Sequence, residues 1–261
     1  MEREQLRQTF EEVPELYERA RPSYPEELFG DLAELAGLRD GARLLEIGCG
    51  TGQATLPLAQ RGYSILCVEL FEGLAAAARR NLTDFPNVDV VHANFETWEP
   101  ERAEFDAVVA FTALHWVDPD LRLAKPARLL RNHGALAVAG SLHVRRPDGD
   151  TFWTEVQEDY DAVTPSPENR PPPLPEEVDD LRGEIEASGA FEFVGGRRYL
   201  WDTEYTADSY IALLDTYSGH RALDDERRNR LYERIRGRID ARPGGRVTKT
   251  YLTMLNVARK R

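Results

Sequence analysis

The stretch Arg43-Leu44-Leu45-Glu46-Ile47-Gly48-Cys49-Gly50-Thr51-Gly52 decides the fold of this 261-residue chain. An apolar run typical of a β-strand leads directly into a loop with three glycines, and a helical pattern follows the loop. Glycine lets the backbone turn sharply and approach a ligand without a Cβ atom in between. A glycine loop between a strand and a helix is the context in which α/β folds bind nucleotide-like ligands.

Working outward from this loop, short apolar runs alternate with helical patterns. The next runs are SILCVEL (64–70), VDVVHA (88–93), FDAVVAF (105–111) and ALAVAGSL (135–142), and two later strand patterns are FEFVGGRRYLW (191–201) and RVTKTYLTMLNVARK (246–260). Nearly continuous apolar runs are typical of parallel strands that helices cover on both faces. The pattern therefore predicts a Rossmann-like, mostly parallel sheet of seven strands.

The remaining segments predict how the chain is organised around this sheet. Residues 25–37 have leucines at helical spacing and a glycine stop, while 17–25 indicate an ordered arm without regular structure. Residues 151–163 and 176–188 indicate helices joined by TPSPENRPPPLP (164–175), whose six prolines predict an extended connector. We expect an arm and cofactor-binding core in 1–144, a helical, proline-rich cap in 145–190, and completion of the core sheet in 191–261.

Composition narrows the class of ligand. No apolar run reaches the roughly 20 residues that a membrane helix needs, and the charged N-terminus lacks the apolar segment of a secretory signal, so we expect a cytoplasmic protein. A net charge of -13 disfavours nucleic acid and anionic membranes and favours a small or cationic ligand. The only cysteines, Cys49 and Cys67, fall at predicted buried positions, and no disulfide or metal site is expected.

Two acidic residues make the loop more specific. A dinucleotide fingerprint has a third glycine at its sixth position, where this chain has Gln53. The carboxylate of Glu46 can hold a cationic amino group. Glu69 follows Gly52 by 17 residues, the spacing at which a carboxylate accepts hydrogen bonds from ribose hydroxyls. The alternative for Glu69 is a solvated residue at the end of a strand.

With these acidic residues, the loop resembles that of the class I S-adenosylmethionine-dependent methyltransferases. The arm Tyr17-Glu18-Arg19-Ala20-Arg21-Pro22-Ser23-Tyr24-Pro25 is similar to the Tyr-x-x-x-Arg-Pro-x-Tyr-Pro arm of their small-molecule group, the type 11-like methyltransferases. The resemblance covers the core to about Leu142. It implies an enzyme that uses S-adenosylmethionine, releases S-adenosylhomocysteine, and methylates an O, N or carboxylate acceptor on a small molecule.

The resemblance also implies the positions that contact the cofactor. Asn94 stands where the family usually has aspartate, and its carbonyl oxygen can still accept a hydrogen bond from the adenine amine. Phe95 is either a flat surface for the adenine ring or a core residue. The full set of implied cofactor contacts is Tyr17, Arg21, Glu46, Gly48, Gly50, Gly52, Glu69, Asn94, Phe95 and Thr112; for Arg21 a surface salt bridge is the alternative.

The segment FDAVVAFTALHWVD (105–118) resembles the family motif that begins the substrate pocket. His115 is the candidate catalytic base, with lining of the cofactor as its alternative role. Trp116 either borders the pocket, where its ring can face the sulfonium cation, or belongs to the core. Together with Tyr24, the segment TYSGHRAL (216–223) adds Tyr217 and His220 as candidate substrate contacts, unless it is an ordinary turn.

Other functions remain open at this point. The arginine-rich pattern ERRNRLYERIRGR (226–238) is either a nucleic-acid surface or the solvated face of a helix that buries Leu231, Ile235 and Ile239. Methylation of RNA or protein is the main alternative to a small acceptor, and the net charge disfavours it. A binding module that has lost its chemistry and a nicotinamide-dependent oxidoreductase are the other two.

Overall fold

The structure, a computed structural model, describes residues 14–167 and 169–261, apart from the side chains of Pro14, Glu15 and Tyr17. Seven strands form one sheet. They are β1 (Arg43–Ile47), β2 (Ser64–Glu69), β3 (Val88–His92), β4 (Phe105–Phe111), β5 (Leu130–Val144), β6 (Phe191–Thr206) and β7 (Arg246–Lys260). Their order across the sheet is β3-β2-β1-β4-β5-β7-β6. The seven-stranded sheet predicted from the sequence is confirmed.

Helices connect these strands. They are α1 (Pro14–Ala20), α2 (Glu26–Ala36), α3 (Thr55–Gln60), α4 (Glu72–Asn81), α5 (Ala124–Leu129), α6 (Phe152–Glu155), α7 (Gln157–Val163), α8 (Arg182–Ala187), α9 (Ala207–Leu214), α10 (Ser218–Arg221) and α11 (Asp225–Asp240). Short 3₁₀ helices span Leu114–Trp116, Pro175–Glu177 and Pro243–Gly245. None of these helices has the length and apolar character needed to span a bilayer.

Parallel pairing determines where the functional loops emerge. β1 lies between β2 and β4, and Glu46 is in register with Cys67 on one side and Val109 on the other. β3 extends the parallel set beyond β2, and β5 extends it beyond β4. Because parallel strands end at the same edge of a sheet, the segments that follow β1 to β4 all leave from one edge.

The chain packs into two units. The core unit contains Ser23–Ser141, Asp180–Tyr199 and Thr253–Arg261, and the second unit contains Leu142–Asp179, Leu200–Leu252 and the described part of Met1–Pro22. The sequence predicted three consecutive ranges instead. The two divisions differ because β5, β6 and β7 are long strands that each contribute residues to both units.

Helices cover both faces of the sheet in the core unit. Leu44 and Leu45 are consecutive on β1 and therefore point to opposite faces. Leu44 belongs to a buried cluster with Leu32 of α2, whereas Leu45 belongs to a separate cluster with Leu129 of α5 and Ile185 of α8. This alternation confirms the predicted three-layer arrangement.

The second unit has its own hydrophobic core. Leu231, Ile235 and Ile239 of α11 are fully buried against residues of α6 and α9, as the four-residue spacing predicted. The side chains of Arg234 and Arg238 form ion pairs with Asp159 of α7. The arginine-rich segment is therefore a helix whose charged face is engaged in ion pairs within the protein.

Several predicted elements differ from the structure. Residues 17–20 of the arm are helical, because Pro14 occupies the first position of α1, where proline is favoured, and Pro22 limits its extension. The predicted helix at 151–163 is divided into α6 and α7. The predicted helix at 176–188 is reduced to a 3₁₀ turn and α8. The segment 216–223, for which the sequence left an ordinary turn as the alternative, contains the short helix α10.

Candidate functional site

The glycine loop after β1 has a backbone conformation that requires glycine. Gly48, Gly50 and Gly52 have positive φ angles of 67°, 59° and 90°. A Cβ atom on Gly48 would lie 2.8 Å from the Cβ of Ala113, closer than non-bonded carbon atoms approach. The amide of Gly48 donates to the carbonyl of Val68 at 2.8 Å, which ties the loop to β2. The loop is thus held close to the ends of three strands.

Glu46 lies two residues before the first glycine and is completely buried. Its Oε1 atom has no hydrogen-bond partner among the residues that the structure describes. Burial raises the pKa of Glu46 to about 7, although hydrogen bonding to Thr55 opposes the shift. Burying a carboxyl oxygen without a hydrogen-bond partner costs free energy. A cationic group of a ligand would provide the missing hydrogen-bond donor.

Glu69 at the end of β2 is also buried, with 4% of its surface exposed. Its Oε2 atom accepts from the amide of Gly50 at 2.9 Å, and its Oε1 atom accepts from the amide of Phe71 at 3.1 Å. Burial raises the pKa of Glu69, while these backbone hydrogen bonds act in the opposite direction. Glu69 is therefore not a solvated strand end, since it holds the glycine loop against β2.

The segment after β3 contains Asn94 and Phe95. The Oδ1 atom of Asn94 accepts from the amide of Glu96 at 2.9 Å, so one lone pair of this oxygen is already used and one stays available. Phe95 is buried in the same cluster as Leu45. Of the two interpretations that the sequence left open for Phe95, the structure shows the core position.

A strained residue follows β4. Thr112 has a φ angle of 53°, which is rare for a β-branched side chain. Its amide donates to the carbonyl of Ala139 at 2.7 Å, and its hydroxyl is 2.8 Å from the hydroxyl of Tyr24. Backbone strain of this kind costs about 1–3 kcal/mol and is concentrated at functional sites. Thr112 and Tyr24, predicted separately, are in contact.

The 3₁₀ helix Leu114–Trp116 carries the candidate base. His115 is exposed, and its ring centroid lies 5.0 Å from that of Trp116. Desolvation of the ring and the positive charge of Arg122 lower the pKa of His115. The imidazole is therefore neutral at pH 7, the form in which it can accept a proton.

In the second unit, Arg21 contacts Thr216 and Tyr217, and the sequence assigned Tyr217 to the substrate. Its Nε and Nη2 atoms donate to the hydroxyl and the carbonyl of Thr216, at 2.8 and 2.9 Å. Its guanidinium lies 4.4 Å from the ring centroid of Tyr217. Arg21 is thus placed with a predicted substrate contact and belongs to another unit than the glycine loop. The side chain of Tyr17 lies outside the described residues.

His220, the other candidate of the second unit, is in an enclosed position. Its Nε2 atom is 3.2 Å from the hydroxyl of Tyr160, and its ring stacks on Tyr232 at 5.8 Å. Its Nδ1 atom is buried without a partner among the described residues. Burial and the charge of Lys249 lower the pKa of His220 to about 4. The Ser-Gly-His segment is therefore more than a surface turn.

Lys249 on β7 is a polar residue that the sequence reasoning missed. Its side chain is 2% exposed, and its Nζ atom donates to the hydroxyl of Tyr217 at 3.0 Å. The only signal in the sequence is its position: Val247 and Tyr251, two residues away on either side, are buried. Because side chains alternate along a strand, a lysine between them points to the buried face.

Residues 45–138 match the family model of a methyltransferase domain. These residues form a class I methyltransferase domain. An uncharacterized methyltransferase of Mycobacterium tuberculosis is 34% identical over 122 residues, 47% of each chain. A trans-aconitate 2-methyltransferase of Variovorax paradoxus is 32% identical over 133 residues, 50% of this chain and 46% of that one. The chain spans about half the length of these relatives.

Solved structures extend the likeness of the methyltransferase domain over most of the chain. A protein of Anaeromyxobacter dehalogenans, assigned as a type II methyltransferase, has a TM-score of 0.62 with 23% identity over 92% of this chain and 97% of that one. The phosphoethanolamine N-methyltransferase 2 of Haemonchus contortus, solved with S-adenosylhomocysteine, has a TM-score of 0.54 with 16% identity over 99% and 59%. The [4+2]-cyclase SpnF has a TM-score of 0.54 with 20% identity over 92% and 83%.

These structures establish the Rossmann-like methyltransferase fold of the chain. The cyclase shows that a fold of this kind also supports a different reaction. The fold alone therefore does not determine the activity, which depends on the residues of the site. In the methyltransferase domain, the candidate residues Glu46, Gly48, Gly50, Gly52, Glu69, Asn94, Thr112, His115 and Trp116 all lie on or directly after β1 to β4. They therefore lie along the one edge of the sheet at which β1 to β4 end.

Proposed function

We propose that this protein transfers the methyl group of S-adenosylmethionine to an oxygen, nitrogen or carboxylate acceptor on a small molecule. The observation that carries the proposal is the buried Oε1 atom of Glu46, which lacks a partner among the described residues and lies two residues before the glycine loop. A buried carboxyl oxygen is a natural partner for a cationic amino group.

The residues of the domain fit S-adenosylmethionine. Glu46 offers a counter-charge for the amino group of its methionine part. We assign Glu69 to the ribose hydroxyls, because its carboxylate still has lone pairs beyond those that the amides of Gly50 and Phe71 use. The second lone pair and the amide group of Asn94 are available to the adenine. The glycines of the loop let its backbone approach a ligand without Cβ atoms in between.

The remaining cofactor assignments rest on the resemblance of the arm and of the strand ends. They are Tyr17 and Arg21 for the carboxylate of the methionine part and Thr112 for lining the methyl donor. The assignment of Thr112 agrees with its strained backbone, because such strain is concentrated at functional sites. A backbone amide of residues 94–95, rather than the buried ring of Phe95, is the second contact for the adenine.

When bound, S-adenosylmethionine supplies an electrophilic methyl group on a sulfonium. The chain then has to align an acceptor with that methyl group and exclude water, because methyl transfer depends mainly on proximity and orientation. In the core unit, we assign Tyr24, whose hydroxyl contacts Thr112, and Trp116 to the acceptor. Neutral His115 is the base for a hydroxyl or protonated amine acceptor, whereas a carboxylate acceptor needs no base.

Two observations support a small acceptor over RNA or protein. The net charge of -13 opposes association with phosphate polymers, and the arginines of α11 that would attract them include Arg234 and Arg238, which are paired with Asp159. The relatives do not decide between these acceptors, because one is named for trans-aconitate, another for protein isoaspartate and a third for an rRNA adenine.

Isothermal titration of the full chain with S-adenosylhomocysteine, S-adenosylmethionine and NAD tests the cofactor. We expect saturable binding of the first two with micromolar dissociation constants and none of NAD.

Incubation with methyl-labelled S-adenosylmethionine and either a metabolite extract or tRNA then tests the acceptor. Label in a small product supports the proposal, label in tRNA favours the alternative, and binding of NAD without S-adenosylhomocysteine refutes both.

A further inference from the structure

Among the residues that the structure describes, the buried ammonium of Lys249 has no anionic partner. Among the described residues, no carboxylate lies within ion-pair distance of Nζ, and its one hydrogen bond goes to the hydroxyl of Tyr217 at 3.0 Å. An ammonium has three donors, so two are unused. Moving a charge out of water is costly unless the charge is paired and hydrogen-bonded.

Aromatic rings surround this ammonium. The Nζ atom lies 5.1 Å from the ring centroid of Tyr251, 5.3 Å from that of Tyr217, 5.6 Å from that of Tyr210 and 5.9 Å from that of Trp153. Contacts with ring faces offset part of the cost of burying a cation. They provide no negative charge, however, and they leave the two unused donors without acceptors.

Two imidazoles near Lys249 also have unused nitrogen atoms. Nε2 of His143 and Nδ1 of His220 are buried and have no partner among the described residues. Burial, together with the charge of Lys249, lowers the pKa of His143 to about 2 and that of His220 to about 4. Both rings are therefore neutral, and each unpartnered nitrogen can donate or accept a hydrogen bond depending on its tautomer.

Tyr217 is positioned between two cations. Lys249 donates to its hydroxyl, and the guanidinium of Arg21 lies over its ring at 4.4 Å. Burial alone would raise the pKa of Tyr217, but the charges of Lys249 and Arg21 outweigh it, so the pKa is lowered. Two cations thus face Tyr217, one at its hydroxyl and one over its ring.

We propose that Lys249, the hydroxyl of Tyr217 and the unpartnered nitrogens of His143 and His220 form a site in the second unit that binds the carboxylate group of a small ligand. A carboxylate supplies one negative charge and several lone pairs, which match one unpaired ammonium and a few neutral donors. The rings of Trp153 and Tyr251 suit an apolar body attached to that carboxylate. The site lies within the second unit, so this inference does not depend on the proposed function.

Titration with carboxylates of increasing apolar size tests the site directly. The probes are acetate, benzoate and phenylacetate, each beside its neutral amide, added to the full chain with and without S-adenosylhomocysteine. We expect saturable binding of benzoate and phenylacetate, with the amides at least tenfold weaker. Absence of saturable binding for all three carboxylates would overturn the proposal.

The variant Lys249→Met removes the charge while keeping an apolar side chain of similar length. We expect benzoate affinity to fall at least tenfold, with the affinity for S-adenosylhomocysteine unchanged and the melting temperature equal to or above that of the wild type. Lys125→Met is the matched control, because Lys125 is equally buried but bonded to the carbonyl of Glu96 and the carboxylate of Glu99. It should lower the melting temperature and leave benzoate affinity unchanged.

Tyr217→Phe provides a second variant should Lys249→Met fail to fold. It keeps the ring and removes only the hydroxyl, and we expect benzoate binding to weaken about three- to tenfold. Wild-type affinity for benzoate in either folded variant would overturn the proposal. If the wild-type chain binds benzoate but not S-adenosylhomocysteine, the proposed cofactor is refuted and the carboxylate site is not. Failure of the carboxylate site and failure of the proposed function are therefore distinguishable.

Discussion

Replacing Glu46 by glutamine is expected to stabilise the folded protein at pH 8 and to weaken its binding of S-adenosylhomocysteine. Burial raises the pKa of Glu46 from 4.5 to about 7, so the folded state favours the protonated acid. Below pH 4.5 the carboxyl group is protonated in both the folded and the unfolded chain. As the pH rises through about 7, the wild type has to ionise a buried group and loses stability that glutamine retains.

The size of the stability difference follows from the interval between the pKa of Glu46 in the unfolded chain and its pKa in the folded protein. At about 1.4 kcal/mol for each pH unit between the two pKa values, ionisation of Glu46 destabilises the folded state by about 3 kcal/mol at pH 8. Most of this difference between the variant and the wild type should develop between pH 5 and pH 8. The pKa of Glu69 is also raised, but Glu69 is present in both proteins, and its contribution largely cancels in the comparison.

The assay is urea unfolding of both proteins at pH 5 and pH 8, combined with titration of S-adenosylhomocysteine at pH 8. Loss of a charged hydrogen bond to the ligand amino group, about 1.5–3 kcal/mol, should weaken binding about ten- to hundredfold. Glu101→Gln makes the same chemical change at an exposed position and should alter neither quantity. Unchanged ligand affinity in Glu46→Gln would refute the counter-charge role, and a stability difference independent of pH would refute the buried ionisation.

Three further changes test other parts of the structure. Gly48→Ala should abolish S-adenosylhomocysteine binding, because the new Cβ collides with a neighbouring strand end. Gly41→Ala, which has a similar positive φ and open space around it, should cost only about 1 kcal/mol by urea unfolding and bind normally. His115→Gln should lower kcat about 10²- to 10⁴-fold on a hydroxyl acceptor and leave S-adenosylhomocysteine affinity unchanged; equal rates would exclude a base role. Asp159→Asn should cost about 2–4 kcal/mol, since this buried carboxylate pairs with two arginines, whereas Asp208→Asn, at an exposed pair, should cost under about 1 kcal/mol; equal losses would contradict this difference.

The strand, glycine loop and helix around residues 43–60 could be predicted from the sequence because their determinants are local. An apolar run long enough for one buried strand and glycines that permit positive φ lie within ten consecutive residues. Glu46 and Glu69 were also predictable, because each lies at or near the end of such a strand, where parallel topology gathers functional groups. Only their complete burial and the bond from Gly50 to Glu69 needed the structure.

Other features depended on contacts that no local pattern contains. The contacts of Arg21 with Thr216 and Tyr217, nearly two hundred residues away, could not be predicted from the sequence around Arg21. A flat side chain at Phe95 fits an adenine or a core equally well, and only the packing decides between them.

Lys249 shows the limit most clearly. In a strand pattern a lysine indicates an exposed position, because burying an ammonium is unfavourable in isolation. Its burial depends on rings from Trp153, Tyr210 and Tyr217, which belong to segments far apart in the chain. The sequence by itself determined the sheet and the glycine loop, since backbone conformation is set by neighbouring residues. The tertiary structure decided which polar groups are buried without partners, since that depends on every segment packed around them.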